Sequence, residues 1–294
     1  SNLLLGQNQI GTMQFCDYSK LIDGMSEREK REREELYLTL LGVLKKLDLY
    51  RTNLVNSKKY IDMFPGVYYH VTSLEIDNIR KGLYIEPKWK MNQMIGFFEA
   101  YEVNRQLWDS GKKNHVEPHW VNHFKTAEDT QTNELSAFCI GFAATLKSAI
   151  SAHIVYDLPR SIRFTNKQYQ HSSIPNYNTI YEEYGYVDAI FDIAQKKSLT
   201  DLKSISTSCS YLSNTWFGNY FAPSVKEMRG EAWTNANDQN HSIDYNGVLF
   251  GPHPYDKSMR DIYLAEGKSF CTLNLTLFLF DLSGSMNGNG VNSN

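Results

Sequence analysis

Apolar residues recur along this chain at helical spacing. Leu36, Leu40, Val43, Leu44 and Leu47 mark one buried stripe. Ser26 precedes Glu29 by three positions, a capping-box pattern, and the stretch EKREREE between cap and stripe is fully polar. The spacing predicts a helix over 26–48 with a solvated first half. Residues 60–82 are mixed, and Tyr68, Tyr69, His70 and Val71 fit a short helix or a strand. Trp89 to Trp108 is helical again through Met91, Met94, Ile95 and Phe98, and Gly111 ends it. A short helix follows Pro118, carrying Trp120, His123 and Phe124. Residues 132–158 are apolar nearly all round and rich in alanine, as expected of a helix buried at the centre of a bundle. Pro159 perturbs its end, with helical turns resuming through Phe164.

Further along, 165–178 reads as a loop and 181–197 as a helix with Tyr184, Val187, Ile190, Phe191 and Ala194 on one face. A further helix is expected over 199–214, and another over 216–237, broken near Pro223 and Gly230. Residues 237–258 are loop-like. Leu273 to Leu282 suits a buried helix or strand, and 283–294 a disordered tail. The pattern predicts an all-α fold, a single-domain multi-helix bundle over 1–282 with residues 132–158 as its buried central helix.

Composition narrows the function classes. The 294 residues are 41% hydrophobic and 21% charged, with a net charge of −3. That balance provides no field for nucleic acid, so no nucleic-acid partner is expected. No apolar run reaches membrane length, so no span is expected. Cys16, Cys139, Cys209 and Cys271 are scattered and form no CxxC pair. They read as buried thiols of a cytoplasmic protein. Oligomeric state is not encoded in any recognisable pattern. There is no GxGxxG, Walker loop, HExxH or GxSxG, and neither a DDxxD-like cluster nor paired ExxH motifs.

The unusual chemistry lies in Ala152-His153-Ile154-Val155-Tyr156-Asp157-Leu158-Pro159-Arg160. His153 and Asp157 are four apart on an apolar helix and share a face. A carboxylate one turn from an imidazole fixes its tautomer and raises its basicity, which serves acid–base catalysis or metal ligation. The bland alternative is a polar tie at the helix end. Tyr156 and Arg160 flank the pair as candidate substrate-binding residues. His115, His119 and His123 form a second cluster. Pro118 interrupts a continuous three-histidine helix, so this cluster is expected to hold no metal alone, with Trp120 and Phe124 packed inward. A zinc site would combine His153 and Asp157 with one or two of His115, His119 and His123, with His119, His123, His153 and Asp157 as the four-residue set, and Glu134 could join them. Arg229 and Trp233, four apart, suit either cation–π packing or a pocket wall in which Arg229 binds a substrate carboxylate or phosphate. Glu182 and Glu183 point apart. Tyr68, Tyr69, Tyr156, Phe217 and Tyr220 are candidates to line an apolar cavity.

The AHIVYDLP stretch resembles the signature of an uncharacterised helical family, domain of unknown function 5995, whose pattern is similar to G-x-x-A-H-I-x-x-D-L-x-x-A. Here it corresponds to Ala152, His153, Ile154, Asp157 and Leu158. Arg229-Gly230-Glu231-Ala232-Trp233-Thr234-Asn235-Ala236 is similar to the family's R-x-x-A-W-x-x-A segment. The resemblance covers roughly 60–240, with 240–282 as an extra segment, and it implies an all-α fold without an assigned activity. The residues lead to an expected acid–base enzyme acting on a largely apolar small molecule in an aromatic-lined helical pocket. His153 and Asp157 would be its catalytic pair, Tyr156, Arg160, Arg229 and Trp233 its substrate contacts, and it would use no cofactor. A cyclase, isomerase or lyase reaction fits that site. A zinc-dependent hydrolase and a non-catalytic binding protein are the alternatives.

Overall fold

A computed structural model describes residues 14–132, 135–169, 177–205, 222–238, 244–245, 248–249 and 257–286. It is an all-α bundle. The long helices are α1 (Glu27–Ser57), α2 (Met63–Arg80), α3 (Pro87–Asp109), α4 (Pro118–Thr132), α5 (Leu135–Ile150), α6 (Leu158–Tyr169), α7 (Tyr177–Gly185), α8 (Val187–Ile205), α9 (Ala222–Asn237) and α10 (Lys257–Met286). A π-helical segment, Ser151–Asp157, joins α5 to α6 without a break. The two-residue strands Asp244–Tyr245 and Val248–Leu249 pair antiparallel in the region read as a loop.

Local chemistry sets most boundaries. Ser26 caps α1: its hydroxyl oxygen accepts from the Glu29 backbone N–H at 3.4 Å and its O–H donates to the Glu29 carboxylate at 2.9 Å. The helix runs past the expected end at 48 because Tyr50 and Leu54 prolong the buried stripe, and Lys58 ends it in the left-handed region at φ 50°. The mixed stretch after Tyr60 is the full helix α2. Its Pro65 sits in the first turn, where a missing N–H breaks no helical bond. Helix α6 extends to Tyr169, into the expected loop. The helix expected over 181–197 is instead two helices, α7 and α8, parted at Tyr186, while α9 passes Gly230 unbroken. α10 covers 283–286, so the tail boundary at 282 falls inside a helix; residues 287–294, like 206–221, lie outside the described residues.

Helix α1 packs against α2, α3 and α10, α2 also against α8, and α9 covers α6 and the π segment. One contiguous buried cluster runs from Phe15 to Cys271. The α1–α10 crossing depends on two glycines. A Cβ on Gly42 would lie 2.0 Å from the Tyr263 carbonyl oxygen, and one on Gly267 would lie 1.8 Å from that of Leu38. The two backbones touch, which only glycine permits.

The expectation of free thiols fails for Cys16 and Cys271, which form a disulfide with Cα atoms 5.5 Å apart across 255 residues of sequence. Spacing gave no sign of it, because the bundle brings the N-terminal segment and α10 together. The side chains of Cys139 and Cys209 lie outside the described residues.

Gly267→Ala is expected to lower stability by about 1–3 kcal/mol through overpacking against a backbone that cannot yield. Gly230→Ala, in open space on α9, is expected to leave stability unchanged or raise it by up to about 1 kcal/mol. Chemical denaturation of both variants checks the contrast; equal effects would refute the backbone-contact reading of the α1–α10 crossing.

Candidate functional site

The π segment ends two residues before Pro159, which has no N–H to donate and crowds the carbonyl of the preceding turn. Widening that turn accommodates the ring: the Leu158 N–H donates to the His153 carbonyl, five residues back. Ala152, His153, Ile154 and Asp157 are the buried residues of the segment.

Asp157 is fully buried and acts as a hub. It accepts from His153 Nδ1 at 3.0 Å, Trp120 Nε1 at 3.1 Å and His119 Nε2 at 3.4 Å. Arg160 Nη1 lies 3.7 Å away and donates to Glu117 at 2.8 Å. Burial alone would raise the Asp157 pKa, but the hydrogen bonds from His119 and His153 outweigh it and hold the carboxyl well below the usual carboxylate range. The hub is therefore an anion, which fixes the His153 tautomer: Nδ1 carries the proton and Nε2 the lone pair.

His153 Nε2 is buried and has no hydrogen-bond partner among the described residues. The ring stacks on Phe97 with centroids 3.4 Å apart, and the edges of Phe64 and Tyr68 close round it at 4.9 and 5.2 Å. Burial lowers the imidazole pKa, and the bond to Asp157 opposes it without overcoming it. The ring lines a cavity of about 80 Å³ between α2, α3, the π segment, α8 and α9. Phe64, Tyr68, Met94 and Phe97 line it beside His153, and Thr72, Glu75, Lys90, Gln93, Gln195 and Arg229 supply its polar part.

The other sequence candidates divide. Tyr156 is not on the cavity; its ring stacks on His119 at 4.7 Å. Arg160 faces Glu117 and Asp157, behind the histidine. Arg229 is on the cavity but does not pack on Trp233. It donates to Asp188 at 3.1 Å and to the Tyr184 carbonyl at 2.5 Å, with its guanidinium 4.2 Å from the Tyr184 ring. Trp233 packs instead against Tyr184, Tyr181 and Trp89. Glu183, set aside in the sequence, is buried and accepts from the Ile85 and Glu86 backbone N–H groups, which precede α3. Phe217, Tyr220 and Glu134 lie outside the described residues.

The four-residue zinc set does not assemble. His115 is exposed against Asn114. His123 is buried with Nδ1 3.1 Å from the Thr145 carbonyl, and burial takes its pKa down to about 3. Among the described residues, those whose ligand atoms converge to within 4.8 Å are Glu117, His119 and Asp157. Glu117 went unnoticed because only the α4–π packing brings it to Asp157, and the Arg160 guanidinium already supplies the positive charge beside both carboxylates.

A family model described as "Family of unknown function (DUF5995)" matches residues 40–246. No curated protein and no solved structure is significantly similar to the chain.

Both His123 and His153 are held neutral by burial, so below pH 6.5 the unfolded chain takes up protons that the folded chain refuses. Stability is expected to be at its plateau above that pH and to fall on acidification, by about 1 kcal/mol per pH unit for each histidine. Urea unfolding at pH 7, 6 and 5 checks this, and His123→Phe is expected to flatten the slope. A pH-independent midpoint would show that these rings are not held neutral.

Proposed function

Since the chain belongs to the DUF5995 family, whose description names no activity, the reading must come from the cavity, and we propose that the protein is an acid–base enzyme for a small, largely apolar molecule. The observation that carries the reading is the buried Nε2 of His153 on a cavity wall, without a hydrogen-bond partner among the described residues and backed by an ionised Asp157. A tool of this kind abstracts a proton and returns it elsewhere, as isomerases and lyases require. Asp157 positions the ring and stabilises the imidazolium that forms. The volume of about 80 Å³ is roughly half that of a dry cavity that takes a benzene ring, which suits a substrate of few heavy atoms. Arg229 is the substrate contact kept from the sequence reading. Tyr156, Arg160 and Trp233 become supports for the hub and for the packing of α9.

This reading uses no metal or organic cofactor and no nucleic-acid partner. No helix among the described residues is long and apolar enough to cross a membrane. The Cys16–Cys271 bridge favours an oxidising compartment over the cytoplasmic location expected from scattered cysteines.

The test is proton exchange in D₂O with a panel of small ketones, enones and keto acids. The protein is expected to accelerate C–H exchange of at least one of them, and His153→Gln to lose about 10²–10⁴-fold of that acceleration. Equal exchange by both proteins, or none by either, would retire the acid–base reading. Asp157→Asn is expected to cost stability as well, because its amide turns a donor toward two histidines and a tryptophan; thermal melting checks this.

Zinc hydrolysis would use Glu117, His119 and Asp157. Elemental analysis of the purified protein is expected to find no stoichiometric metal, because Arg160 neutralises the same carboxylates.

A further inference from the structure

The cavity is chemically graded along its length. On α3, Phe97 stacks on His153, while Lys90 lies seven residues earlier, about 10 Å along the helix axis. On α2 the same gradient runs from Phe64, beside His153, to Glu75. The end opposite the imidazole thus holds a lysine and a glutamate, both buried, with Arg229 on the same cavity.

Nothing in the acid–base reading requires Lys90, and a buried ammonium is costly to keep without a role. Its carboxylate partner is Glu75 Oε1 at 3.4 Å, and the other Glu75 oxygen accepts from the Tyr84 hydroxyl. Tyr84 also presents its ring to the Lys90 ammonium at 5.6 Å. The amine is therefore held on a cavity wall, out of bulk water and 3.4 Å from one carboxylate oxygen.

We propose that Lys90 is a carbonyl-capturing amine, forming an imine with a small aldehyde or ketone in this cavity, with Glu75 carrying the protons and Arg229 suited to a carboxylate on the same molecule. Lys90 Nζ, having passed a proton to Glu75, attacks the carbonyl carbon. A C–N bond forms and the C=O π pair moves to oxygen. The second amine proton and the one held by Glu75 go to that oxygen. The C–O bond then breaks as the nitrogen lone pair closes the C=N bond. The oxygen leaves as water, with a protonated imine and the Glu75 carboxylate remaining, and hydrolysis reverses each step. No oxidant or reductant is needed. Burial lowers the Lys90 pKa, with Glu75 opposing, so the neutral amine is easier to reach than on an exposed lysine. Capture at Lys90 stands independently of His153.

Reductive trapping tests it. The full chain is incubated with glyoxylate, pyruvate or acetaldehyde plus cyanoborohydride, and adducts are located by peptide mass spectrometry. Lys90 is expected to be labelled at least about tenfold faster than the exposed Lys112, Lys125 and Lys147, with glyoxylate or pyruvate ahead of acetaldehyde if Arg229 binds the carboxylate. Labelling should persist in His153→Gln, which separates this proposal from the acid–base reading, and vanish in Lys90→Met, or in Lys90→Arg should the methionine variant not fold. Lys90 labelled no faster than the exposed lysines by all three probes would overturn the proposal.

Discussion

A single buried negative charge organises the centre of this protein. Asp157 has no solvent and relies on donors from two histidines and a tryptophan, with Arg160 close by. A carboxylate in that position is tolerable only while every donor is present, since an uncompensated buried charge costs several kcal/mol. The constraint reaches outward. It fixes where α4 crosses the π segment, because His119 must meet one oxygen of the carboxylate and Trp120 the other. It also fixes the tautomer of His153, leaving the lone pair on Nε2. The chemistry proposed for the cavity and the packing of α4 therefore share one cause.

Pro159 supplies the local geometry for that hub. An uninterrupted α-helix through the proline would lose a hydrogen bond and clash with the turn before it. The π segment absorbs the defect and gathers Ala152, His153, Ile154 and Asp157 on the buried side. Helix α9, packed against this segment and α6, closes the site from outside and brings Arg229 to the cavity wall. Glu183 does similar positioning work at a distance by accepting from the N–H groups before α3, the helix that carries Lys90 and Phe97.

At the other side of the bundle, α10 clasps α1 through touching backbones at Gly42 and Gly267, and a disulfide secures the clasp. Cys16 and Cys271 both lie outside residues 40–246, the part of the chain that matches the family. In the chain-entropy account a link across so long a loop stabilises by up to about 5 kcal/mol. The clasp buttresses α1, which in turn supports α2 and α3, two walls of the cavity.

The helical class, the capped start of α1 and the pairing of His153 with Asp157 were legible in the sequence, because each depends on residues within one or two turns of each other. Spacing of three and four is a local signal, and so is a serine three positions before a glutamate. The π segment was half legible: Pro159 announced a perturbed turn, but not that the helix would continue through it. The long-range facts were not legible. The hub's donors His119 and Trp120 lie 38 and 37 positions from Asp157, and Lys90 and Glu75 read as ordinary charges on separate helices. The disulfide spans 255 positions, and Arg229 found Tyr184 in place of the neighbour four residues along its own helix. The sequence by itself determined which segments are helices and which ionisable pair sits on a buried one. Only the tertiary structure decided which charges face one cavity, because burial and charge pairing depend on which helix faces meet, and that is a property of the packed chain as a whole.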